Sequence, residues 1–576
     1  MNDENRNWLL FAVIAIVVLL GSQIISAKFF PAANPPVTKI VAGKTKVVAA
    51  APTATPEKIR DRAQVLAEAP RVKIETPQLS GSINLKGARI DDLVLTQYNE
   101  TVAKNSAPIR LLSPSGTASA YFAGFGWTGD GAPGADTLFT ASAPVLSPGQ
   151  PVVLSWTSPA GVRFAMRVSV DDKFMFTVEQ EASNVGAAPV SLRQYGLVSR
   201  TRGTDVSTWT NHVGPIGAFG NGADYGIAYD GVAGKEPGFF SKLFGGAGTV
   251  GPTYFDTTGG WAGFGDKYWL TALVPDQAAP VHSGFRGNGD DRFQADVARA
   301  QAVIAPGQTM RTTTRLFAGA KEVSTLDHYQ SNLGIAHFGN AIDWGWFKIV
   351  EKPIFIYLDW LFHLVGNFGL AIILLTVTIR LLIFPIAQRQ FASMAAMKAI
   401  QPKMKALQEK HKDDKARAQQ EVMALYKAEK VNPLAGCLPT FLQIPIMYSL
   451  YKVLLLSIEM RHQPFILWIH DMSAPDPATV LNLFGYLHYS LPPFLAIGVV
   501  PVLLGISMYF QFKLNPAPMD DAQKQIFALM PWVLMFVMAP FAVGLQVYWI
   551  TSNCWTILQQ RMLYARHPQL KTAPAK

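Results

Sequence analysis

Apolar residues along this chain gather into long runs divided by polar stretches, and six of the runs reach about the 20 residues that a helix needs to cross a bilayer. They extend from Trp8 to Ile25, Phe368 to Ile386, Leu434 to Leu456, Leu491 to Phe512, Ile526 to Phe541 and Val543 to Leu563. The last two nearly merge, and Pro540 with Gly544 divides them into a tight helical hairpin. The first run is longer than the roughly 7 to 15 apolar residues of a signal-peptide core. It is therefore expected to stay as an N-terminal anchor, residues 1–27, although Ser26-Ala27 is a passable cleavage site.

Between the first and second runs the pattern changes twice. Residues 28–74, rich in Ala, Pro, Lys and Thr, predict a flexible tether. Residues 75–335 read as short strands with turn punctuation. Val162 to Val168 alternates apolar with polar, Asp171-Asp172-Lys173 turns, and Phe174 to Val178 resumes, a hairpin signature. The expectation is a large antiparallel β-sandwich, with loops at Gly214 to Gly222 and Gly245 to Gly251. Residues 336–364 mix aromatic and charged side chains just before the second run, as an interfacial amphipathic helix would. Residues 365–563 form the expected transmembrane core. It carries a charged helical hairpin at 387–433 that is kinked by Pro402 and broken near Lys412-Asp413-Asp414. Residues 564–576 form a short basic tail.

Composition agrees with a membrane protein bearing a soluble domain: 576 residues are 49% hydrophobic and only 16% charged. The net charge of +10 is unevenly placed. Ten basic residues from Arg389 to Lys430 crowd the loop after the second run, whereas Arg461 stands alone in the loop from Ile458 to Ser490. By the positive-inside rule the first loop is cytoplasmic. Alternation then puts both termini in the cytoplasm and residues 28–364 largely outside. Cys437 and Cys554 both fall in predicted spans and read as small packing residues.

Arg380 interrupts the otherwise apolar second run. A charge in hydrocarbon costs at least about 2.5–3.5 kcal/mol, so it marks a wet cavity or a side chain snorkelling to the nearer interface. Thr376 lies one turn earlier on the same face. Gln443 stands in the third run, and Gln546, Asn553 and Gln560 recur every seven residues in the sixth, on one helical stripe. Such stripes line a shared polar cavity or hydrogen-bond helices together. Lys452 is expected to snorkel. In the β-domain, His212, His282 and His328 show no metal-ligand spacing and no nucleophile elbow is present. A sugar-binding or sugar-modifying sandwich with exposed Trp127 or Trp209 is the second reading there.

Several motifs resemble the YidC family of membrane protein insertases. They are Met423-Ala424-Leu425-Tyr426-Lys427 with Asn432-Pro433, Gly436-Cys437, Pro439, Gln443 and Pro445, and then Glu459-Met460-Arg461 and Phe465 to Asp471. The spacing of Arg380 before Pro385, Gln388 and Met394 is similar too, and Trp261 to Leu270 resembles the external domain of the Gram-negative branch. The resemblance implies a non-enzymatic insertase and chaperone of the bacterial inner membrane with no cofactor or metal. Its core would be five helices around a hydrophilic groove holding one arginine, here Arg380. Thr376, Gln443, Gln546, Tyr548, Trp549 and Asn553 become candidate groove residues. Implied partners are nascent membrane proteins, the Sec translocon with its accessory subunits, membrane lipids, and the ribosome or signal recognition machinery through hairpin 387–433. The chain is expected to work as a monomer. A transporter or channel with Arg380 as its substrate charge is the alternative, against which no internal repeat is visible.

Overall fold

The computed structural model describes residues 58–566, apart from 206, 208–210, 221, 235–250, 288–290, 412–413, 430–437, 480–496 and 515–520. The run from Trp8 to Ile25 therefore lies outside the described residues. Two units divide the chain, Met1–Trp346 and Phe347–Lys576.

In the first unit the described residues form two sheets, of eleven and nine strands, with nearly all neighbours antiparallel. The hairpin read from alternation is present: Val162–Val170 pairs with Met175–Asn184, Phe176 facing Val170. Every second residue of Val162–Val170 is buried, which is the period of a half-buried strand. In the larger sheet, strand Tyr121–Gly129 is interior, flanked by Val190–Thr201 on one side and Arg89–Asn99 on the other. Its odd residues face the core, where Trp127 lies 4.9 Å from Phe164 of the smaller sheet, ring centre to ring centre. Two polar groups inside this core show the pairing that burial favours. Gln180 Nε2 donates to the Gly126 carbonyl at 2.8 Å, and Arg200 Nη1 reaches both Asp266 oxygens at 3.0 and 3.1 Å.

Several expectations change here. The tether ends before residue 74: Asp61 caps helix α1 (Arg62–Ala67), and Arg71–Glu75 is a strand whose Val72 and Ile74 are buried. Gly214–Ala218 is a strand, fully buried on both faces, where alternation has no meaning. Trp127 is 2% exposed and cannot stack on an external ligand; Trp209 lies outside the described residues.

The second unit is helical. Its elements, numbered after α1 and α2 (Val323–Asn332 of the first unit), are α3 (Lys348–Val365), α4 (Phe368–Lys410), α5 (Lys415–Ala428), α6 (Leu438–Leu456), α7 (Val499–Leu514), α8 (Asp521–Met538) and α9 (Val543–Arg566). Gly366, at φ 67°, ends α3 in the left-handed conformation, and the Asn367 side chain accepts from Leu370 N at 3.0 Å to start α4. Pro385 and Pro402 sit within α4, which continues through both to Lys410, so the membrane run and the first arm of the charged hairpin are one helix. The break before α5 falls where the Lys412-Asp413-Asp414 cluster predicts it.

Among the described residues one helical stretch, Phe368–Gln388, is long and apolar enough to cross a membrane; Pro445–Leu456, Val499–Leu514 and Ala528–Met538 are shorter apolar helices. Ile349, Ile356, Trp360 and Leu364 expose an apolar stripe on α3. The hairpin between α8 and α9 turns at 539–542, as Pro540 and Gly544 suggest. Lys452 is 2% exposed, buried inside the helical unit rather than snorkelling, and Cys554 is exposed because it points about 100° around α9 from buried Asn553.

Candidate functional site

α9 packs against α4 and α7, and this contact brings the polar residues together. Arg380, half-buried on α4, donates from Nη2 to the Ser552 hydroxyl of α9. The phenol of Tyr548, one turn before Ser552 and 2% exposed, lies within electrostatic reach of the guanidinium. Among the described residues no carboxylate acts on Arg380, so its charge faces hydroxyl dipoles alone.

Thr376 is fully buried one turn before Arg380, and its hydroxyl donates back to the Ile372 carbonyl at 2.6 Å. The hydroxyl is thus spent within its own helix. Two α9 residues engage elsewhere. Asn553 Nδ2 donates to Ser507 Oγ of α7 at 2.9 Å. Gln546 Nε2 donates to the carbonyls of Met538 and Phe541, at 3.0 and 2.9 Å, tying α9 to the end of α8 and to the turn that follows it. α9 therefore carries two polar stripes. Gln546 and Asn553 hold neighbouring helices, while Tyr548 and Ser552 face Arg380. Trp549 is half-buried next to Tyr548, and the side chain of Gln443 in α6 lies outside the described residues.

Sequence reading missed Ser552 and Ser507. The available signal was the four-residue step from Tyr548 to Ser552, which puts both on the face that meets Arg380. A serine in an apolar helix gives little warning by itself.

The loop that follows α6 caps the site's helices. Asp476 accepts from the Trp468 indole at 3.0 Å and from Val500 N at 2.7 Å, satisfying an orphan donor in the first turn of α7. Met472 and Ala474 carbonyls accept from Gly544 N and Val543 N at the start of α9. Phe465 packs over Gly369, where any side chain would collide with its ring.

The helical part, residues 360–570, matches the model of the 60Kd inner membrane protein family, and residues 71–357 match the YidC periplasmic domain. The membrane protein insertase YidC of Zymomonas mobilis subsp. mobilis is 45% identical over 574 residues, covering 98% of this chain and 96% of the relative. The chain belongs to the YidC family of membrane protein insertases. The YidC of Methylorubrum extorquens is 47% identical over 515 residues, covering 88% of this chain and 83% of the relative. Among solved structures, an active YidC insertase with its first transmembrane domain resolved aligns over 88% of this chain and 94% of that chain, at 17% identity and a TM-score of 0.37. Family membership makes this an inner-membrane protein with a periplasmic domain, related to insertases rather than to enzymes.

Proposed function

We propose that this YidC-family protein integrates and folds nascent membrane proteins in the inner membrane, alone or beside the Sec translocon, by transient electrostatic capture at Arg380. The observation that carries the reading is a cation inside a run long enough to span the membrane, held by Ser552 and near Tyr548, with no carboxylate partner among the described residues. Such a charge attracts an arriving acidic segment far more strongly in a low-dielectric groove than in water. The client's apolar helix meanwhile passes along α6 and the exposed apolar face of α8, which includes Trp532 and Phe536, into lipid.

In this scheme the chain crosses the membrane six times with both termini cytoplasmic, and residues 28–364 are largely periplasmic. Gln443, Tyr548 and Trp549 line the groove, Thr376 packs beneath Arg380, and Gln546 and Asn553 keep its walls together. Hairpin 387–433, with its arms joined by Lys403 and Glu429 at 2.6 Å, offers its basic surface to the ribosome or the signal recognition machinery. The chain acts as a monomer. Depletion of the endogenous insertase with complementation by this chain tests the proposal: insertion of a small client with an acidic external tail is restored, and failure to restore it contradicts the reading.

A further inference from the structure

A cavity of about 760 Å³ in the β-rich unit lies against the outer face of the larger sheet. Its floor is strand Tyr121–Gly129. Because odd residues of that strand face the core, Phe122, Gly124, Gly126 and Thr128 face outward. Two glycines lie in the middle of the floor, between Phe122 and Tyr195, and Gly124 leaves it bare. A side chain at Gly126 would come within 2.8 Å of the Tyr195 hydroxyl, so the tyrosine ring lies over that glycine. At Gly124 only Leu197 is near, at 3.7 Å. One wall comes from α1 and the residues beside it, the other from the loop 132–139, tied back by Gly87 N donating to the Thr137 carbonyl at 2.8 Å.

Charge in the walls is balanced: Arg60, Lys86 and Arg89 against Glu68, Asp91 and Asp136. Arg60 pairs with Glu68, Lys86 with Asp136 at 2.8 Å, and Asp91 with Arg71, while Arg89 stands 5.2 Å over the Phe122 ring. Burial pushes the Tyr195 phenol up to about 12, so it remains an O–H donor at neutral pH.

The volume falls in the roughly 300–1,000 Å³ range of small-molecule sites. Balanced charge gives no net attraction to an anion or a cation. An acyl chain would strip water from paired charges without replacing their hydrogen bonds. A peptide cannot add as a strand at Ala123 and Gly124, where the floor strand is already paired on both sides. A neutral polyhydroxylated ring meets each constraint: its C–H face lies on an aromatic ring, and its hydroxyls donate to carboxylates and accept from guanidinium and ammonium groups. We propose that this cleft, floored by Gly124 and Gly126 between Phe122 and Tyr195, is a binding site for a neutral oligosaccharide.

The test is saturation-transfer NMR on the full chain in lipid nanodiscs free of glycoside detergent, with maltotriose, cellotriose and chitotriose as probes. At least one trisaccharide receives saturation from the wild type, and Gly124→Val, which fills the cavity where the backbone has room, reduces it at least fivefold. If Gly124→Val lowers the thermal midpoint by more than a few degrees, Tyr195→Phe carries the test with an expected loss of at least threefold. No transfer to any of the three probes overturns the proposal, as does transfer that the informative variant leaves unchanged. Displacement of the bound trisaccharide by decanoate or a neutral pentapeptide, at lower concentration than by free trisaccharide, overturns the oligosaccharide assignment.

Discussion

Arg380 on α4 and Ser552 on α9 are 172 positions apart in the chain and joined by one hydrogen bond, from the guanidinium to the hydroxyl. This contact aims the only charge in the Phe368–Gln388 stretch at the polar face of another helix. A hydrogen bond involving a charged group contributes about 1.5–3 kcal/mol. Ser552→Ala is therefore expected to lower insertion of clients with acidic external segments several-fold. Clients lacking such segments should insert as well as before. A uniform loss across both classes, scored by protease protection, would mean that Ser552 only supports the fold.

Asn553 has a different job one residue later. Its amide joins α9 to Ser507 on α7, and interhelical bonds of this kind are worth about 0.6–2 kcal/mol. Asn553→Leu should lower the thermal midpoint of the full chain in nanodiscs by a few degrees while leaving the ratio of acidic-tail to neutral-tail insertion unchanged. Ser507→Ala should lower the midpoint by about as much, and the double variant by little more than either.

The periplasmic unit carries its own pH response. Asp296 is fully buried, and burial pushes it up to about 6, with Arg286, 3.3 Å away, opposing the shift. Its folded value lies above the ordinary 3.8, so the folded state holds the proton more tightly than the unfolded state does. The stabilisation is complete below about 4 and disappears as the pH rises through about 6. Acidification from pH 7 to pH 4 should add up to about 3 kcal/mol from this group. Asp296→Asn should remove that part of the slope. Urea unfolding of the full chain at both pH values, followed by tryptophan fluorescence, measures the difference.

What the chain reveals before folding depends on whether the signal is local. The alternation of Val162 to Val168 survives because a half-buried strand has a period of two, and Arg380 stands out because an isolated charge in an apolar run has few bland explanations. Arg71 to Glu75 alternates as well, but six prolines between 31 and 70 outweigh that short signal in a compositional reading. Gln546 and Asn553 share a stripe as their spacing predicts, and both are buried. Which neighbour each one meets depends on the rotation of α9 against α4, α7 and α8, and sequence spacing carries no information about that rotation. Trp127 shows the same limit: a tryptophan in an alternating strand faces either core or solvent, and only its packing on Phe164 decides.

Arg380 is the centre of the proposed capture, and its charge is the quantity to vary. The most direct measurement is insertion of one acidic-tailed client in depleted cells complemented with wild type, Arg380→Lys or Arg380→Ala. Electrostatic capture predicts substantial insertion with lysine, which keeps the charge, and a loss of at least tenfold with alanine. Equal insertion by the alanine variant and the wild type would contradict electrostatic capture at this site.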